Sequence, residues 1–193
     1  GLATDLDRWV IERTVALAEV RQHQGERVRF FVKLSEHSVK DESVLIHVSK
    51  TLARSHLEPG QIVFQLDEVT ALGQVKFAQA AVNLLKQLDC PTALEHFGTG
   101  SHSLNALTHL DVDYLKIDGS ILDGLAHDPD NQAALREIQQ TAARLNKETI
   151  ATSVQDANSL AILWQCGVHL AQGHYIQEPT EELSYEFHHG AGI

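Results

Sequence analysis

Methionine is missing altogether, position 1 included. The chain is therefore expected to be a processed product or a piece of a longer protein. Cysteine is scarce, with only Cys90 and Cys166. They lack metal-type spacing, and one pair makes no disulfide framework, so two reduced thiols in a cytosolic protein are expected. No apolar run approaches the roughly 20 residues that span a bilayer, and no signal peptide opens the chain. Membrane insertion is not expected, and a cytoplasmic location is. Basic residues number 15 against 26 acidic ones, a net charge of -11. Such a surface repels nucleic-acid backbone and anionic lipid. A small anion in a locally basic pocket stays possible. Four prolines in 193 residues, with 43% hydrophobic content, suit one compact domain with a sizeable core.

Helix-like and strand-like segments alternate. Leu6, Val10, Ile11, Val15 and Leu17 recur at helical spacing behind Asp5, a candidate N-cap. "RVRFFVKL" (27–34) is rich in β-branched and aromatic residues and predicts a strand. "ESVLIHVSKTLARS" predicts a helix, "QIVFQLDE" (61–68) a strand, and "ALGQVKFAQAAVNLLKQLD" one long amphipathic helix. Strands follow at 92–96 and 113–118, a helix over about 131–146, and a strand at 148–154. "ANSLAILWQCG" predicts a helix closed by Gly167, and "VHLAQG" a short strand. About six strands interleaved with helices indicate an α/β fold with parallel pairing. An open doubly wound sheet and most of an eight-stranded barrel both satisfy this pattern.

In either architecture ligands sit at the C-terminal ends of the strands. Those ends carry Lys33 and Ser35, then Gln65, Asp67 and Glu68, then Glu95 and His96. Lys116 and Asp118 come next, followed by Thr152, Ser153 and Gln155, and lastly Gln172. Polar loop starts alone would place one or two such groups on a rim; here every strand does. No glycine-rich phosphate fingerprint follows a strand, since "GTG" at 98–100 lacks the third glycine and the strand-to-helix timing.

"HFGTGSHSLNALTHLDVDYLKID" resembles the "DDFGTG…LKID" core of EAL domains, bacterial modules that bind cyclic di-GMP and, when active, hydrolyse it with Mg²⁺ or Mn²⁺. "LDRWVIE", "FVKLS", "FQLDE", "IATSVQD" and "AQGHYIQEP" resemble further family segments in the right order. The resemblance implies a TIM-like (β/α) barrel. It also implies that the namesake Glu-Ala-Leu segment, with a phosphate-contacting Leu-Leu-Arg, precedes Gly1. The barrel is then expected to lack its first one or two strands, with residues 1–193 forming a single degenerate EAL domain.

The departures concern the metal cage. At positions where the family holds its metals, this chain has Lys33, Gln65, Glu95, His96, Thr152 and Gln155, while Glu68, Lys116, Asp118, Gln172 and Gly173 are retained. Divalent hard cations require several anionic oxygens, and two-metal hydrolysis requires both ions. No Mg²⁺ or Mn²⁺ and no hydrolysis are therefore expected. Lys33 and Lys116 are candidates to face a phosphate; a salt bridge from Lys33 to Glu68 or Glu95 is the alternative. The resemblance places Asp7 near one guanine, and Ile176, Gln177, Glu178 and Pro179 near the other base and its ribose, with Ser35 and Gln172 as further contacts. Asp7 is equally a helix N-terminal acid, and Glu178 equally an exposed loop charge.

"GHYIQEP" with the eroded metal site is most similar to the FimX branch of the family. That similarity implies a cyclic di-GMP receptor without catalysis, engaging a PilZ-domain partner in type IV pilus regulation, with PAS and GGDEF-like regions upstream. Alternatives are an EAL-like scaffold that has lost the nucleotide, and a weak phosphodiesterase. Of the twelve histidines, His23, His37, His47, His56, His102, His109, His127, His169 and His174 are scattered, and His188-His189 reads as a surface tail. Trp9 and Trp164 are expected in the core. Ser153 lacks a nucleophile-elbow motif.

Overall fold

The computed structural model of the protein describes residues 1–100 and 103–180. His102, His188 and His189 lie outside the described residues. Helix α1 (Leu2–His23) leads into strand β1 (Phe30–Lys33), followed by α2 (Glu36–Lys40) and α3 (Glu42–Arg54). Strand β2 (Ile62–Asp67) precedes α4 (Glu68–Gly73) and α5 (Val75–Gln87), and β3 (Thr92–Phe97) precedes α6 (Ser103–His109). Then come β4 (Tyr114–Ile117), α7 (Gly119–Leu122) and α8 (Pro129–Arg144), followed by β5 (Glu148–Ala151), α9 (Ala157–Gln165) and β6 (Leu170–Ala171).

The six strands pair in chain order, every pair parallel. Each crossover carries helix, as parallel pairing requires. β1 and β6 are the two edges, so the sheet forms an open half-barrel. This settles the choice between a doubly wound sheet and a barrel: a doubly wound sheet reverses its strand order, and this one does not.

Because side chains alternate along a strand, each face has its own core. Val32, Phe64, Leu66, Leu94, Leu115, Ile117 and Ala151 face the helices in the larger cluster. Val63, Ala93, Tyr114 and Ile150, with Phe31 against them, form a second cluster on the concave side. Phe31 meets Tyr114 edge to face, with ring centroids 5.5 Å apart. Two residues further along the same strands come Lys33, Gln65, Glu95, Lys116 and Thr152. The concave face thus has an apolar tier below and a polar tier above, and this step of two builds the site.

Three expectations are corrected. Asp5 does not cap α1; Gly1 is the N-cap residue and Asp5 sits in the first turn, 3.1 Å from Arg8. The helix expected over 71–89 is two helices, broken at Gln74, whose backbone (φ -135°, ψ 43°) leaves the helical region between Gly73 and Val75. Trp9 and Trp164 are 61% and 65% exposed, not core. The buried line of α1 runs through Thr4, Asp7, Ile11, Val15 and Ala18, which leaves Trp9 on the next line over. In α9 the buried residues are Ser159, Leu160 and Leu163, and Trp164, one position on, turns outward.

Candidate functional site

The polar tier is tied together by one carboxylate. Glu95 Oε1 accepts from Lys116 Nζ at 3.0 Å, and Glu95 Oε2 lies 2.8 Å from Lys33 Nζ. Lys116 also donates to Gln65 Oε1 at 2.6 Å. The four side chains come from β1, β2, β3 and β4, so the chain of contacts crosses four of the six strands. Lys116 is buried, whereas the Lys33 side chain is half exposed. Burial disfavours a charged Glu95, but the two lysines outweigh it and hold the carboxyl below its ordinary range.

A second group flanks this tier. His96 Nδ1 lies 2.9 Å from Asp67 Oδ2. His96 sits where β3 slips register against β4, with φ at 57°. Burial opposes ionisation of Asp67, yet the Thr70 N–H and the His96 ring bring its carboxyl below the usual range. Glu68 is 2% exposed. Burial pushes its carboxyl up, with Asp67 and Asp118 adding to the rise, while Ser103 and the Gly98 N–H pull against it.

The strand ends also cap the turns that follow. Asp67 accepts from Thr70 N at 3.0 Å, Asp118 from Ser120 N at 2.9 Å, and Ser35 Oγ from Ser38 N at 3.3 Å. These contacts satisfy orphan N–H groups at the starts of α4, α7 and α2. Ser120 holds the Asp118 carboxyl below its ordinary range.

A cavity of about 570 Å³ opens over this floor. Glu95, His96, Lys116, Asp118 and Gly119 line one side; Thr152, Ser153, Gln155, Gln172, Gly173, His174, Gln177 and Pro179 line the other. Thr152 Oγ1 donates to Ile117 O at 2.7 Å. The closing segment is pinned by Val154 N donating to Gln172 O at 3.0 Å and Tyr175 N to Val154 O at 3.1 Å.

The EAL domain family model matches residues 1–179. The chain belongs to the EAL family. It is 30% identical over 179 residues to the cyclic di-GMP phosphodiesterase PdeF of Escherichia coli, covering 93% of this chain and 24% of that protein. It therefore spans about a quarter of the length of the curated relatives it matches. A crystal structure of a FimX EAL domain superposes with a TM-score of 0.93 at 35% identity, over 97% of this chain and 75% of that one. The FimX EAL domain from Pseudomonas aeruginosa bound to c-di-GMP gives 0.90 at 34%, over 97% and 75%. The half-barrel is thus a partial EAL-type TIM-like barrel, as the sequence implied.

Within this EAL fold the expected residues fall into three groups. Lys116, Gln172, Gln177 and Pro179 line the cavity with Glu95, His96, Thr152 and Gln155. Lys33 and Gln65 join them through Glu95 and Lys116, and the salt bridge from Lys33 goes to Glu95, one of the two partners foreseen. Asp7 and Ser35 form their own pair: buried Asp7 accepts the Ser35 N–H at 2.8 Å through Oδ2, which ties α1 to the end of β1. Ile176 and Glu178 are exposed and outside the cavity lining. Sequence reasoning gave His174 no place in the site and did not foresee the Asp67–His96 pair. The capping roles of Asp67, Asp118 and Ser35 had a signal, an Asp or Ser closing each strand just before a turn. Among the described residues no group of three or more His, Cys, Asp or Glu is arranged to hold a metal ion, and no helix is long and apolar enough to cross a membrane.

Proposed function

We propose that this chain is a catalytically inactive EAL domain that binds cyclic di-GMP and passes its occupancy to a PilZ-domain partner in type IV pilus regulation. The observation that carries this reading is the Lys33–Glu95–Lys116 bridge. An ammonium group occupies a position that the resemblance assigns to a metal ligand, and both oxygens of Glu95 face lysines. Gln65 already accepts from Lys116. This donor set does not fit two divalent ions, which need several free anionic oxygens. The lysines are instead suited to a phosphate, as point charges. Two FimX EAL domains that superpose on this chain were solved with c-di-GMP, at 34% and 28% identity, which supports the same ligand here. In this reading Lys33, Lys116 and Ser35 face phosphate, Asp7 faces one guanine, and Gln172, Ile176, Gln177, Glu178 and Pro179 face the other base and its ribose. The cytoplasmic location and the upstream PAS and GGDEF-like regions belong to the same proposal.

The curated relatives favour a second reading, since PdeF and PdeR are named cyclic di-GMP phosphodiesterases. Calorimetry with cyclic di-GMP, followed by incubation with Mg²⁺ or Mn²⁺, separates the two. Binding with no linear product is expected; metal-dependent release of pGpG would overturn the inactive reading. Unchanged affinity in Lys33→Ala would remove the phosphate role of Lys33. Failure of ligand-loaded protein to retain a PilZ-domain partner would remove the signalling step.

A further inference from the structure

Two ammonium groups face the concave site, and the structure holds a carboxylate between them. Lys33 and Lys116 approach opposite oxygens of Glu95 at 2.8 and 3.0 Å. The three groups together carry one net positive charge. Gln65, the other acceptor on Lys116, adds none. Any phosphate that reaches these lysines must also approach Glu95, because Glu95 and Lys116 line the same cavity wall. Glu95 stays ionised under ordinary conditions, since the lysines hold its carboxyl below the usual range. The flanking acids add to the repulsion of a second phosphate charge: Asp118 lines the cavity beside Glu95, and Asp67, opposite Glu95 in the strand register, lies against His96.

We propose that Glu95 acts as a charge filter, admitting singly charged phosphodiesters and disfavouring doubly charged phosphomonoesters. The inference rests on the cyclic dinucleotide reading and adds to it the basis for distinguishing the ring from its opened form. A diester group brings one negative charge to a cluster with one positive charge to spare. A terminal phosphomonoester brings nearly two near neutral pH, and the second finds Glu95 rather than a free lysine. One unit charge at about 5 Å, at the effective dielectric of a partly exposed site and with Lys33 half in solvent, corresponds to a discrimination of about tenfold. Cyclic di-GMP carries only diesters, whereas linear pGpG carries a terminal monoester.

The test compares wild type with Glu95→Gln, which keeps the side-chain shape and removes the charge. Both are titrated calorimetrically at pH 8 with cyclic di-GMP and with linear pGpG. Wild type is expected to prefer the ring. In Glu95→Gln both affinities should rise, the linear one by about tenfold more, so that the preference largely disappears. Lys33→Gln leaves the Lys116–Glu95 pair in place and supplies a second, independent reading: both ligands should weaken and the preference for the ring should grow. A ring-to-linear ratio unchanged in both variants, alongside sound binding of the ring by wild type, overturns the filter and leaves the receptor reading standing. Weaker binding of both ligands by Glu95→Gln at an unchanged melting temperature also overturns it. No heat with either dinucleotide from wild type or variants sinks the receptor reading and the filter together.

Discussion

Replacing Gly173 with alanine tests whether one close backbone approach builds the right-hand wall of the cavity. A Cβ at Gly173 would stand 2.2 Å from Val154 N, 2.3 Å from Val154 O and 2.8 Å from Val154 C. These are backbone atoms, so no side-chain rotation relieves the overlap, and the two segments must separate by roughly 1 Å. The bonds that hold them are Val154 N to Gln172 O at 3.0 Å and Tyr175 N to Val154 O at 3.1 Å. Losing both costs about 1 kcal/mol each, and residual overpacking adds about 1–2 kcal/mol. The expected destabilisation is about 3–4 kcal/mol, a fall in melting temperature of about 6–16 °C for a chain of this length. Gly124 provides the control: its φ is also positive at 61°, but nothing lies within 4 Å of a Cβ built there. Gly124→Ala pays only the left-handed backbone penalty of about 1 kcal/mol. Thermal melts followed by circular dichroism compare the two, and cyclic di-GMP calorimetry of Gly173→Ala should show weakened binding. A Gly173→Ala protein that melts no lower than Gly124→Ala would refute the reasoning.

At the opposite end of the strands Asp111 joins Lys86 to Lys147, the latter at 2.5 Å, and its carboxyl is brought down to about 2, mainly by hydrogen bonds from the two lysines. A lowered folded value means that the stabilisation is complete above the unfolded carboxylate value near 4 and fades as pH falls toward 2. Asp111 is mostly exposed, so screening limits it to about 1 kcal/mol, and Asp111→Asn should melt slightly below wild type at pH 7 and together with it near pH 2; a constant gap would count against the bridge. Cys90 is buried and its thiol is pushed up to about 12 by burial and the neighbouring Asp89, while Cys166 is partly exposed. A thiol reagent at pH 8 should therefore label Cys166 in the native protein and both cysteines in denaturant, and rapid native labelling of Cys90 would contradict the packing. Acrylamide should quench Trp9 and Trp164 readily, and Trp164→Ala should change stability by no more than about 0.5 kcal/mol; shielded fluorescence would mean that these faces are covered.

The strands were legible because short β-branched and aromatic runs stood between helical patterns, and the rim was legible because parallel strands all end on one side. Across strands the sequence narrowed Lys33 to two partners, Glu68 or Glu95, without deciding between them. Lys33 and Glu95 lie on β1 and β3 and are separated by 61 intervening residues, so their bridge depends on the curvature of the sheet. The short helices α2, α4 and α7 were missed for a different reason. Ser35, Asp67 and Asp118 were read as rim groups, and a residue that faces a cavity and caps a turn presents the same letter in the sequence. Trp9 and Trp164 failed the core expectation because helical spacing identifies an apolar arc without saying which edge of it the neighbouring elements cover.

The stacking of a polar tier on an apolar one leaves the upper tier open to revision at little cost to the scaffold. Phe31, Val63, Ala93, Tyr114 and Ile150 hold the lower ring together whatever stands above them. The side chains at Lys33 and Gln65 can be exchanged with no methylene moved in that ring. The chemistry of the rim is therefore set by a handful of letters, each two places past a hydrophobic neighbour that need not change.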